Sequence, residues 1–284
     1  MVFTGDLGSD NSLLLNPATR ITDADYILME SVYGDKEHEE ADMRRDLLED
    51  VIEETIARRG TLLIPAFSME RTQDLLFDIS NLMREKRVPS VPVYIDSPLA
   101  SKITDSFLKH PSYFKDEIRK RIDAGENIFT APEMRFVASV QESRDIHRDE
   151  SPKIIIAGSG MSNGGRVLSH EKVYLSDPKS TLLIVGYQAA GSMGRQLLEG
   201  MKEAVIFGEK IPVRAKVQAI YGYSAHRDAP GLLDFVHESA DHLKKVFVAM
   251  GEPKSAAFLT QRIRDYLGIT TIAPSRGDSA EIEL

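Results

Sequence analysis

Lys153-Ile154-Ile155-Ile156-Ala157 runs straight into Gly158-Ser159-Gly160-Met161-Ser162-Asn163-Gly164-Gly165-Arg166. Residues 154–157 are an uninterrupted apolar run, the pattern of a strand buried on both faces. The glycines close it in a turn, and helical patterning resumes from about Arg166. Working outward, residues 62–64, 93–95 and 181–185 repeat the strand. Helices separate them. Met43, Leu47, Leu48, Val51, Ile52 and Ile56 recur at helical spacing before Gly60, and Leu75, Leu76, Ile79 and Leu82 do so within 71–86. Residues 103–109 and 113–122 also read as helical. Buried strands alternating with helices predict an α/β class with a parallel sheet covered on both faces.

Toward the C-terminus, residues 204–207 and 213–220 read as a hairpin joined by Gly208-Glu209-Lys210. A helix after Asp228, a strand over 246–249 and a helix with Pro253 in its first turn follow, the last ending at Gly268. Toward the N-terminus, Met1-Val2-Phe3 reads as the tail of a strand that enters Thr4-Gly5-Asp6, and a strand over 25–29 delivers Glu30. So abrupt a start predicts a chain whose beginning lies elsewhere.

The composition is that of an ordinary globular protein: 284 residues, net charge −9, 28% charged. No apolar run reaches the roughly 20 residues of a membrane span, and no basic-then-apolar leader is present. The absence of cysteine excludes disulfides and thiolate metal sites and fits a cytoplasmic location. The acidic balance argues against coating nucleic acid by overall charge, though not against a local site that handles phosphates.

Asp6 and Glu30 each end an apolar strand, where ligands gather in α/β sheets. His226 lies in Gly222-Tyr223-Ser224-Ala225-His226-Arg227-Asp228 just before a helix, and can serve as an acid/base or a ligand. No pair of histidines has metal-ligand spacing. The turn over 158–165 lets backbone approach an anion at a helix N-terminus, or simply packs tightly. Arg71, Arg166 and Arg195 each follow a comparable turn and suggest an anion-facing rim, or surface charges.

Together these segments resemble the metallo-β-lactamase/β-CASP nucleases of RNA processing, the prokaryotic branch most closely. Thr4-Gly5-Asp6 is similar to the family turn whose aspartate bridges two zinc ions. Glu30-Ser31-Val32-Tyr33-Gly34 is similar to β-CASP motif A, and Ser224-Ala225-His226 to motif B. Pro65-Ala66-Phe67 with Arg71-Thr72-Gln73, Asp96-Ser97-Pro98-Leu99-Ala100, and Ser159-Gly160-Met161 with Gly164-Gly165-Arg166 match segments lining the family's cleft.

The resemblance implies a β-CASP cassette over about 36–221, inserted in a partial αββα sandwich made of 1–35 and 222–284. It implies two-zinc hydrolysis of single-stranded RNA in the full-length protein, with Asp6 on the metals and Glu30 orienting a proton-donating His226. Arg71, Ser159, Gly160, Met161, Asn163, Gly164 and Arg166 are then the expected substrate contacts, and a homodimer or partner subunit is compatible.

Two departures stand out. The family's His-x-His-x-Asp-His segment is absent, and is expected before residue 1. Met250 also occupies the place of the last zinc histidine, ahead of Gly251-Glu252. A thioether is a poor ligand for zinc beside carboxylates and imidazoles, so full zinc occupancy is not expected in this chain. The alternative function is a non-catalytic RNA-binding or scaffold subunit, and a weaker one treats the glycine-rich turn as a nucleotide site.

Overall fold

The structure, a computed structural model, describes residues 1–9 and 12–283, and for Ala41 and Asp42 only the backbone. Along the chain run β1 (Val2–Phe3), β2 (Tyr26–Met29), α1 (Ala41–Ala57), β3 (Thr61–Pro65), α2 (Arg71–Arg84), β4 (Val93–Asp96), α3 (Pro98–Lys109), α4 (Asp116–Asp123), β5 (Met134–Phe136) and α5 (Val140–Asp145). Then come β6 (Lys153–Ala157), α6 (Val167–Tyr174), β7 (Thr181–Ile184), α7 (Met193–Leu198), β8 (Glu203–Ile206), β9 (Glu209–Pro212), β10 (Lys216–Ala219), α8 (Ala229–His237), β11 (Lys245–Val248), α9 (Pro253–Leu267) and β12 (Thr271–Ile272). They form two compact units. One comprises Met1–Ser12, Asn16–His38 and Ala225–Leu284, the other Leu13–Leu15 and Glu39–Ser224.

The larger unit is built on a six-stranded parallel sheet in the order β10-β7-β3-β6-β4-β5. Successive strand side chains point to opposite faces, so each apolar run feeds two cores. Leu62, Ile64, Ile154, Ile156, Val93 and Ile95 join one core with Leu48 and Ile52 of α1 and Leu75, Ile79 and Leu82 of α2. Leu63, Ile155, Ala157, Leu182 and Ile184 join the other with Val167 of α6 and Leu197 of α7. That is why these strands read as continuous rather than alternating. Ser97 caps α3 by accepting the Ala100 N–H at 3.2 Å, with Pro98 in the first turn.

Two expectations are corrected here. The hairpin pairs β8 with β9, not with residues 213–220. Phe207 and Gly208 both have positive φ (51° and 79°), the two-residue turn that matches strand twist, so Glu209 and Lys210 are already strand. The next strand, β10, instead returns to the main sheet and lies parallel to β7. The helix expected over 113–122 starts only at Asp116, because Phe114 is extended and bridges to Leu15.

The smaller unit is a four-stranded parallel sheet, β1-β2-β11-β12. Ile27, Met29, Val246 and Val248 pack against Leu232, Phe235 and Val236 of α8 and Leu259 and Ile263 of α9. On the other face Phe247 is buried, Leu28 half-buried and Phe3 exposed. Among the described residues, α8 and α9 pack on the same face of the sheet, the one that carries Ile27, Met29, Val246 and Val248. Gly268, at φ +67°, ends α9 in the left-handed conformation that glycine adopts without penalty.

Candidate functional site

In the smaller unit the chain leaves β1 through Thr4, whose N–H bonds the Leu28 carbonyl at 3.0 Å and whose hydroxyl accepts the Glu30 N–H at 3.2 Å. These bonds set Asp6 and Glu30 side by side at the carboxyl ends of parallel strands. The Glu30 carboxylate is fully buried; it accepts the Leu7 N–H at 2.6 Å and His226 Nδ1–H at 2.8 Å. A carboxylate only accepts, so Nδ1 carries the proton and the imidazole lone pair sits on Nε2.

His226 is anchored through its backbone as well. It bridges antiparallel to Gly8, and its carbonyl accepts His38 Nε2–H at 3.0 Å. Asp228 caps α8 through the Gly231 N–H and also accepts the His38 N–H at 3.2 Å. The ring of His226 stays 22% exposed. Asp6, Glu30 and His226 each bring a ligand atom within 4.8 Å of the others.

These residues do not complete a zinc site by themselves. A catalytic zinc takes about three protein ligands, but both Glu30 oxygens are already committed to N–H donors. Asp6, exposed, is the carboxylate available to a metal. Met250 lies just past β11, in the turn held beside the segment after Glu30 by the Ala249 N–H to Met29 O bond (2.8 Å) and the Ser31 hydroxyl to Ala249 O bond (2.9 Å). It is exposed with φ +57°, and it offers only a thioether.

In the larger unit, the turn from β6 to α6 is sewn to the turn before α7. Gly160 O accepts Gln188 Nε2–H at 2.8 Å, Met161 O the Gly194 N–H at 3.1 Å, and Asn163 Oδ1 the Met193 N–H at 3.0 Å. Asn163 therefore uses its oxygen on the protein. Gly165 is obligatory, since a Cβ there would lie 2.5 Å from Gly158 O, whereas Gly164 faces open space. Among the described residues, the N–H groups of Gly160, Met161, Asn163 and Gly164 bond to nothing in the chain. These are donors suited to an anion.

The arginine rim takes a different form from the one expected. Arg71 is buried and ion-pairs with Asp74 at 2.8 Å while donating to the Tyr223 carbonyl. Arg166 binds Asp96 at 2.5 Å and the carbonyls of Val137 and Ala138. Arg195 pairs with Glu199 at 2.6 Å. Each of the three is thus ion-paired with an acidic side chain of the same unit.

The Arg166 pair belongs to a network that sequence reasoning missed. Asp96, fully buried, also accepts His170 Nε2–H at 2.7 Å and the Ser143 hydroxyl at 2.5 Å. Burial works to raise its pKa, but these bonds hold it below the usual carboxylate range. His170 Nδ1 meets His147 Nε2 at 2.9 Å, and burial followed by the neighbouring His170 pushes His147 down to about 4. Beside the same turn, burial pushes the Glu171 carboxyl up to about 8, against the hydroxyl bond from Ser162. No local spacing announces this cluster, because its members come from β4, α5 and α6.

The comparisons with known proteins follow the same two regions. Residues 72–197 match the Beta-Casp domain, and residues 210–274 match the Zn-dependent metallo-hydrolase RNA specificity domain. Ribonuclease TTHA0252 of Thermus thermophilus is 34% identical over 83% of this chain and 54% of its own length. Transcription termination factor FttA of Methanosarcina mazei is 31% identical over 96% of this chain and 44% of its own. The RNase J-like protein of Methanocaldococcus jannaschii is 34% identical over 98% and 64%. The chain thus spans about half the length of most curated relatives it matches. Zinc dependence is a property of the matched family, and no described helix is long and apolar enough to cross a membrane. With the two domain models in sequence along a parallel-sheet α/β fold, the chain belongs to the β-CASP family of metallo-β-lactamase-fold hydrolases.

Proposed function

We propose that this chain is the β-CASP and RNA-specificity portion of a metal-dependent phosphodiester hydrolase that acts on single-stranded RNA. The observation that carries the reading is the Glu30–His226 pair, joined at 2.8 Å by residues 196 apart, with Asp6 beside it. Glu30 fixes the tautomer and orientation of the imidazole, and His226 Nε2 holds or delivers the proton that a departing ribose oxygen needs. The free N–H groups of the turn over 159–165 bind a backbone phosphate. Asp6 contributes a carboxylate to the zinc on which the matched family depends. In this reading residues 36–221 act as the substrate-binding cassette.

A second reading, a non-catalytic RNA-binding subunit, is favoured by Met250 at the family's ligand position. One experiment separates them: zinc analysis of the parent protein with cleavage of end-labelled single-stranded RNA, alongside Asp6→Ala. Bound zinc, with cleavage that is lost in Asp6→Ala or on chelation, is the expected result. RNA binding without zinc or cleavage sinks the hydrolase in favour of the scaffold.

A further inference from the structure

Resting on the RNA reading, the larger unit carries a feature that the phosphate-binding turn does not account for. Phe67 follows the carboxyl end of β3 and is 44% exposed, although large aromatic side chains are usually well covered. Its backbone is locked. The Ala66 N–H bonds the Ala157 carbonyl at 2.9 Å, and the Phe67 carbonyl accepts the Thr72 N–H at 3.3 Å and the Thr72 hydroxyl at 2.8 Å. The ring lies against Gly160, with its Cδ2 and Cε2 atoms 2.7 and 2.8 Å from where a Cβ on Gly160 would stand. Gly160 is thus the cradle of the ring, and the same residue opens the run of unbonded N–H groups.

Met69, two residues beyond Phe67, and Leu99, in the first turn of α3, are also exposed, at 62% and 59%. The Ser68–Ser97 hydroxyl bond at 3.1 Å ties the segments after β3 and β4 together. We propose that Phe67 is a stacking platform for one unpaired nucleobase of single-stranded RNA, whose adjacent phosphate is held by the N–H groups of Gly160, Met161, Asn163 and Gly164. The occupant follows from the pairing of an exposed aromatic ring on a hydrogen-bonded backbone with anion-binding donors, the two parts of a nucleotide unit. An apolar protein partner would leave the donors idle.

The test is equilibrium binding and fluorescence with a single-stranded oligoribonucleotide carrying 2-aminopurine, and with abasic counterparts, at fixed salt. Stacking predicts quenching by the native protein, and an affinity loss of about 5- to 100-fold in Phe67→Leu, the range expected for one base on one ring. Phe67→Tyr restores both, and an abasic strand at the stacked position erases the difference between native and Leu protein. Thermal unfolding midpoints of the variants report the fold. If Phe67→Leu binds and quenches as the native protein does, or Tyr and Leu weaken binding alike, the platform is wrong while the RNA reading stands. If the native protein binds no RNA, both fall.

Discussion

Glu30–His226 in the smaller unit and Asp96–His170 in the larger are built alike, a buried carboxylate bonded to an imidazole at 2.7–2.8 Å. Their surroundings give them different work. His170 is fully buried and both its nitrogens are bonded, to Asp96 and to His147. His226 bonds Glu30 through Nδ1 and keeps part of its ring at the surface. Exposure, rather than the presence of the pair, separates a candidate catalyst from a structural clamp.

The comparison breaks most visibly at His226. Changing it to Ala in the parent protein is expected to lower RNA cleavage by about 10²- to 10⁴-fold, the usual worth of a general acid or base, beyond any loss of stability from the bond that buried Glu30 gives up. His170→Ala is expected to lower stability and leave cleavage by the folded protein intact. Losing a charge-assisted bond to a buried carboxylate costs about 3 kcal/mol of stability, which denaturant titration would register. Should His170→Ala leave stability intact, the clamp interpretation fails.

Glu30→Gln sharpens the contrast on the catalytic side. The amide still orients the ring but stabilises a charged imidazole less well, and second-layer changes of this kind cost about 10- to 100-fold. Steady-state cleavage rates across pH would show it. A smaller effect concerns Glu171. Its folded pKa of about 8 lies above the unfolded value near 4.5, so its contribution to stability is complete below pH 4.5 and is lost as pH rises to 8. Glu171→Gln should remove that slope, at most about 1.4 kcal/mol per pH unit, from unfolding midpoints measured between pH 5 and 8. The least change is expected from Met250→His alone. Zinc content of this chain should stay substoichiometric, because one carboxylate and one added imidazole still fall short of about three ligands.

Much of the fold was legible because buried parallel strands announce themselves by unbroken apolar runs. The short exposed pieces did not: β5 and β12 carry too few apolar residues to register, and the hairpin turn hid behind the assumption that glycine begins the loop. For the candidate site, Asp6, Glu30 and His226 were each visible only as a polar residue at a strand end or before a helix. Their meeting depends on chain topology across 196 residues, which spacing cannot encode, so it came from the family resemblance. The burial of Arg71 was hidden for a related reason. Arginine at the start of a helix looks like a surface residue, but α2 buries Arg71 through Leu82 without interruption, leaving it no solvent face in that span.

Gly251 has a consequence for how this family can diversify. A Cβ at that position would fall 2.3 Å from Ser31 Oγ and 2.5 Å from its carbonyl. The loop bearing Met250 is therefore fastened to the strand end that bears Glu30, whatever side chain position 250 holds. Selection can exchange a thioether for an imidazole there without redrawing the backbone, so the address is inherited and the occupant is negotiable. Lineages that drift at position 250 should retain the glycine after it, and a substitution at Gly251 should be harder to reverse than any at its neighbour.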